Sequence, residues 1–148
     1  MISNSTQKHI NNFCIGLESE LNSGNFIPVG LSCFPFGSCV ETTHMLGLYL
    51  IEHGCQDVVC ARNMTKKLDG QGHCHYWLLV EGMIVDLTID QFSSYPNYNL
   101  VEPDTCVFPS DSRFHSLFEQ ERLETPSLNC ISSGDLRQFY KRLRRNLP

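Results

Sequence analysis

The sequence predicts an α+β fold in which a cysteine-bearing helix packs on a small antiparallel sheet. Three observations carry that expectation. Apolar residues recur at helical spacing near the start, in the first third and at the end of the chain. Between them lie a short strand-like run at 57–62 and an apparent hairpin, 73–80 and 83–88, around Glu81-Gly82. Gly, Pro, Asn and Ser clusters separate the segments, and no internal repeat or low-complexity tract interrupts them.

In chain order, Ile10, Phe13, Cys14, Leu17 and Leu21 follow the 3, 4, 7 spacing of an amphipathic helix over about 5–21, ended by Asn22-Ser23-Gly24. Residues 25–37, with two prolines and scattered aromatics, read as an irregular connection. The next helix covers 38–53 and is closed by Gly54. A strand over 57–62 and a polar loop over 63–72 lead into a hairpin, 73–80 and 83–88. From 93 to 131, loops, one or two short strands and a helix near 112–122 are expected. A last helix over about 133–146 places Leu136, Phe139, Tyr140, Leu143 and Leu147 on one face and basic residues on the other.

A chain of 148 residues suits a single domain, 1–148, able to bury its own core. At 41% hydrophobic and 18% charged it is globular in composition. No run reaches the ~18 apolar residues of a membrane span, and MISNSTQKHINNF lacks the pattern of a Sec-type signal. The net charge is −5, yet Arg137, Lys141, Arg142, Arg144 and Arg145 crowd the tail, leaving a balance of −9 through residue 134. An acidic body with a basic tail argues against nucleic acid as a partner. Eight cysteines without any CxxC read as mostly reduced and buried, not as a disulfide framework.

The cysteine of greatest interest is Cys39, in FPFGSCVETTHMLGLYLIEHG. It stands where a glycine-containing turn meets a helix, with Ser38 as N-cap. The free N–H groups and dipole of a first turn favour a thiolate and can hold a developing oxyanion. Thr43, Leu46, Gly47 and Leu50 continue an apolar or small stripe, so Cys39 should face the sheet. The alternative is a buried structural cysteine.

In HCHYWLLVEGMIVDLT, a two-residue turn at Glu81-Gly82 pairs Val80 with Met83 and Leu79 with Ile84. His75 is then diagonal to Asp86 on one face, within side-chain reach. An aspartate inside MIVDLT is costly without a partner. A carboxylate that orients an imidazole beside a thiol is what nucleophilic catalysis needs. His73 shares that face, but His75 lies deeper in the apolar strand. His44 and His53 read as ordinary helix residues.

Residues 34–92 resemble the core of the transglutaminase-like branch of papain-like thiol enzymes. There a cysteine-led helix is followed by a strand with histidine in an H-x-W-x-x-V-x-G setting, here His75, Trp77, Val80 and Gly82, and then by an aspartate, here Asp86. The resemblance implies a triad of Cys39, His75 and Asp86 that attacks an amide carbonyl through a thioester. Members include transglutaminases, lasso-peptide leader peptidases and bacterial effectors that deamidate protein glutamines. Many papain-like enzymes place an oxyanion-donating glutamine before the cysteine, but none lies between Gln7 and Cys39. Ser38, Asn25 or a backbone N–H could serve instead, and Trp77 and Gln91 are further positioning candidates.

The expected function is therefore a cofactor-independent cysteine hydrolase, favoured as a protein glutamine deamidase, with a peptidase or acyl transferase as alternatives. Its partner would be a protein or peptide substrate, and its location the cytoplasm or, for a secreted effector, a host cytosol. Two other classes compete. Zinc binding by His73-Cys74-His75 is disfavoured because strand alternation turns Cys74 away from both histidines. A non-catalytic interaction module could use the basic terminal helix against a membrane or an acidic partner, although such a helix is more often packed with a solvated face.

Overall fold

The computed structural model describes residues 1–130 and 134–147. Helices α1 (Asn4–Leu21), α2 (Cys39–Glu52) and α3 (Gly134–Arg145) accompany strands β1 (Val59–Thr65), β2 (His73–Val80), β3 (Met83–Val85), β4 (Val107–Pro109) and β5 (Glu119–Glu124). The strands form one sheet in the order β4-β3-β2-β1-β5, with every pairing antiparallel. The predicted α+β class is therefore the one observed.

Strand alternation divides the buried residues between the two faces of the sheet. Cys60, Leu78, Val80 and Val85 join Ile10, Phe13, Leu46, Leu50, Phe139 and Leu143 of the helices in one core. Ala61, Trp77, Ile84 and Phe108 join Phe92, Phe114 and Phe118, from loops, in a second. Each fully buried large apolar side chain contributes roughly 1.5–3 kcal/mol of transfer free energy. The central strand β2 is enclosed on both sides, which is where the site lies.

Helix α1 starts as its sequence requires: the Ser3 hydroxyl accepts from the Thr6 N–H at 3.2 Å. The Glu81 carboxylate accepts from the Ser3 N–H at 2.6 Å, tying this cap to the β2–β3 turn. Helix α2 ends in a Schellman arrangement: Gly54, at φ +82°, donates to Ile51, and Cys55 donates to Leu50. Within α2, a Cβ on Gly47 would stand 2.6 Å from the Pro126 ring and 3.0 Å from Leu78, so glycine lets the helix approach the sheet. The basic face of α3 is largely engaged, with Arg142 on Glu20 at 2.6 Å and Arg144 on Glu52 at 3.2 Å. No helix among the described residues is long and apolar enough to cross a membrane.

Several boundaries differ from the sequence expectation. The strand expected over 57–62 begins at Val59, because Asp57 turns with φ +54°, and runs to Thr65, opposite His73. The second hairpin strand stops at Val85, since the Asp86 side chain accepts from the Thr88 N–H at 3.0 Å and turns the chain. The helix expected near 112–122 is instead a short 3₁₀ turn at His115–Leu117 followed by β5. EQERLE has helical propensity, yet pairing with β1 recruits it as an exposed, charged edge strand. The irregular connection contains one 3₁₀ turn, Val29–Leu31. The expected start of the last helix at Ser133 lies outside the described residues.

Candidate active site

Cys39 is the first residue of α2, so the N–H groups of that turn have no intrahelical acceptor. Gly37, at φ +67°, makes the bend into the helix, and open space surrounds its Cα. Ser38 occupies the N-cap position without capping through its side chain. Its buried hydroxyl instead donates to the Gly30 carbonyl at 2.8 Å, which fixes the preceding loop.

The β2–β3 hairpin has the expected register, Val80↔Met83 and Leu79↔Ile84. Glu81 and Gly82 both have positive φ, at 51° and 74°, as a two-residue type I′ turn needs. Beyond the last ladder pair, the Asp86 N–H donates to the Cys106 carbonyl at 2.8 Å. The carboxylate is thereby held beside β2, and the His75 Nε2–H donates to its Oδ2 at 2.6 Å. With Nε2 committed to Asp86, Nδ1 lies 3.0 Å from the Gln91 amide nitrogen, and the Cys39 thiol also interacts with the imidazole.

The electrostatics follow from burial of charge. Burial alone pushes the His75 pKa down, but the Asp86 charge and hydrogen bond, with the Cys39 thiol, raise it to about 9. Burial likewise pushes Asp86 up, yet His75 and the His115 hydrogen bond hold it well below the usual carboxylate range. His75 is 0% and Asp86 2% exposed, against 9% for Cys39, so of the three residues Cys39 is the one most open to solvent.

The remaining predicted residues divide clearly. Gln91 lies in the 3₁₀ turn Ile89–Phe92, and its amide Nε2 is 3.0 Å from His75 Nδ1. Trp77 packs edge-on to His75 at 5.7 Å and, with Phe92 and Phe118, walls the imidazole. Asn25 is exposed in the loop after α1, where its N–H donates to Ser23, and the structure does not bring it to His75. His73 pairs with Asp69 at 2.9 Å, away from Asp86.

Compared with known proteins, the chain matches no family model, no curated protein and no solved structure. The chemistry of the site therefore rests on its own geometry.

That geometry contains a second Cys–His–carboxylate row. Cys60 Sγ lies 3.7 Å from His44 Nδ1, and His44 Nε2 lies 3.2 Å from Glu124. His44 is thus a buried, bonded residue and not the ordinary helix residue the sequence suggested. Here the Ser127 backbone N–H donates to Nδ1 at 3.1 Å, so that lone pair cannot take a thiol proton. Cys60 is 0% exposed, which also closes it to substrate. At His75 the group beside Nδ1 is the Gln91 side-chain amide and not a backbone N–H.

Of the seven cysteines whose side chains are described, only Cys39 and Cys60 are buried; Cys33 and Cys74 are exposed, contrary to the expected general burial. No group of three or more His, Cys, Asp or Glu among the described residues is arranged to hold a metal ion.

Sequence reasoning missed His115. Its Nε2 lies 3.2 Å from Asp86 Oδ2, and its Nδ1 lies 2.8 Å from the Ser112 hydroxyl. The only signal was a histidine among aromatics in SRFHSLF, and no periodicity links it to Asp86.

Proposed function

We propose that the chain is a cysteine-dependent amide hydrolase, with protein glutamine deamidation as its favoured reaction. The observation that carries the reading is the buried His75–Asp86 pair, whose imidazole interacts with a thiol at the start of a helix. The likeness of 34–92 to the papain-like, transglutaminase-type core supports the same assignment.

His75 takes the proton of Cys39, and Asp86 balances the charge on the imidazolium. The sulfur attacks the carboxamide carbon, and the first-turn N–H groups of α2 stabilise the oxyanion. The Gln91 amide, beside Nδ1 in the resting site, swings to the same oxygen. Collapse breaks the C–N bond, and ammonia leaves with the proton returned by His75. Water then attacks the thioester, giving its proton to His75, and the acid product departs as Cys39 regains its hydrogen. An amine in place of that water gives acyl transfer, and a backbone amide in place of the side-chain amide gives peptide cleavage. The acidic body of the chain favours substrates with some basic character.

The test is incubation with a library of glutamine-containing peptides, read by ammonia release and by the mass change of amide-to-acid conversion. Turnover abolished by Cys39→Ala is the expected result. Thioester accumulation or deamidation that persists in Cys39→Ala would refute the assignment.

A further inference from the structure

We propose that His115 is a positioning residue of the same site, fixing the Asp86 carboxylate through the oxygen it shares with His75; this rests on the thiol-enzyme reading above. The carboxylate is inaccessible and its bonds can be accounted for one by one. Oδ1 accepts from the Thr88 N–H at 3.0 Å and from the Thr88 hydroxyl at 3.4 Å. Oδ2 accepts from His75 Nε2 at 2.6 Å and from His115 Nε2 at 3.2 Å. A carboxylate offers about four lone-pair directions, so these four donors fill it.

The tautomer of His115 follows from its partners. A carboxylate oxygen only accepts, so Nε2 carries a hydrogen, and Nδ1 shares a hydrogen bond with the Ser112 hydroxyl. Trp77 lies edge-on to the ring at 4.8 Å, and Phe108 packs against it at 4.8 Å. The polar or titratable groups around this corner are Asp86, His75 through the shared oxygen, Ser112, Thr88, Gln91 on the Thr88 hydroxyl and His75, and Cys106. The Cys106 carbonyl accepts from the Asp86 N–H, and its thiol interacts with the Asp86 charge. No lysine or arginine is hydrogen-bonded there among the described residues. His115 thus acts on Cys39 only through Asp86 and His75, holding the carboxylate plane that aims the imidazole.

Removing that donor leaves a buried lone pair unmet, so the carboxylate takes a proton more readily and can rotate away from His75. The measurement is the rate of Cys39 alkylation by iodoacetamide against pH in wild type, His115→Ala, His115→Gln, Ser112→Ala and His75→Ala. In His115→Ala the acid limb moves up by about one pH unit, and the rate near pH 6 falls about tenfold. His115→Gln restores the profile, because its amide nitrogen can donate at the same oxygen. Ser112→Ala, which keeps the ring in place, gives a smaller shift of the same sign and serves if the alanine variant does not fold.

If the His115→Ala and Ser112→Ala profiles superimpose on wild type while His75→Ala abolishes reactivity, the positioning role is overturned and the triad stands. A His115→Gln variant as impaired as alanine would equally overturn it, as size alone would then explain the effect. If Cys39 reactivity in wild type ignores His75, the thiol-enzyme reading falls and this inference with it.

Discussion

Replacing Asp86 with asparagine tests the electrostatic core of the site. The change keeps the volume but removes the charge that opposes the burial of His75, whose side chain is inaccessible. In wild type the imidazole is raised from 6.5 to about 9 although burial works against it. At ~1.4 kcal/mol per unit, the pair favours the imidazolium by on the order of 3 kcal/mol beyond the cost of burial. Without the carboxylate that cost is unopposed, and His75 should titrate below its ordinary value. NMR titration of ¹⁵N-labelled histidines follows this directly, with His75→Gln identifying the resonance. The expected result is a transition near pH 9 in wild type that moves below 6.5 in Asp86→Asn. A transition near pH 9 in both proteins would refute the assignment of Asp86 as the counter-charge.

Stability should depend on pH with a definite sign. His75 has a folded pKa above its unfolded one, so its contribution is full below pH 6.5 and is lost as pH rises through about 9. Asp86, held low, contributes above about 3.8 and loses that contribution as pH falls through its depressed folded value. These describe one ion pair, so urea midpoints should be highest between about pH 4 and 6.5 and fall toward 9, a decline that His75→Gln flattens. Gly47→Ala should destabilise by roughly 1–3 kcal/mol by the same assay, since its methyl group meets Pro126 and Leu78. Cys60→Ser should leave the alkylation profile of Cys39 unchanged, because the Ser127 N–H already occupies the His44 nitrogen facing Cys60.

The site was legible in the sequence where its geometry is local. Cys39 follows from a helix start, and the meeting of His75 and Asp86 follows from a two-residue turn that sets side-chain parity. Contacts made by long-range pairing left no such trace. His115 reaches Asp86 across 29 positions, through a 3₁₀ turn packed among aromatics. β5 was hidden because EQERLE carries helical propensity, and only the free edge of β1 makes it a strand. Ser38 was read correctly as the N-cap position, yet its hydroxyl serves Gly30, a partner set by the fold of the loop and not by spacing. His44 likewise looked like a routine helix residue until Glu124 and Ser127 arrived from distant segments.

The central claim is that His75 activates Cys39. Its most direct test compares iodoacetamide alkylation of Cys39 with that of the exposed Cys33 across pH, by peptide mass spectrometry, in wild type and His75→Ala. The account predicts that Cys39 reacts at a lower pH than Cys33 in wild type and that His75→Ala removes the difference. Cys39 reactivity that tracks Cys33, or that is unaltered in His75→Ala, would contradict it.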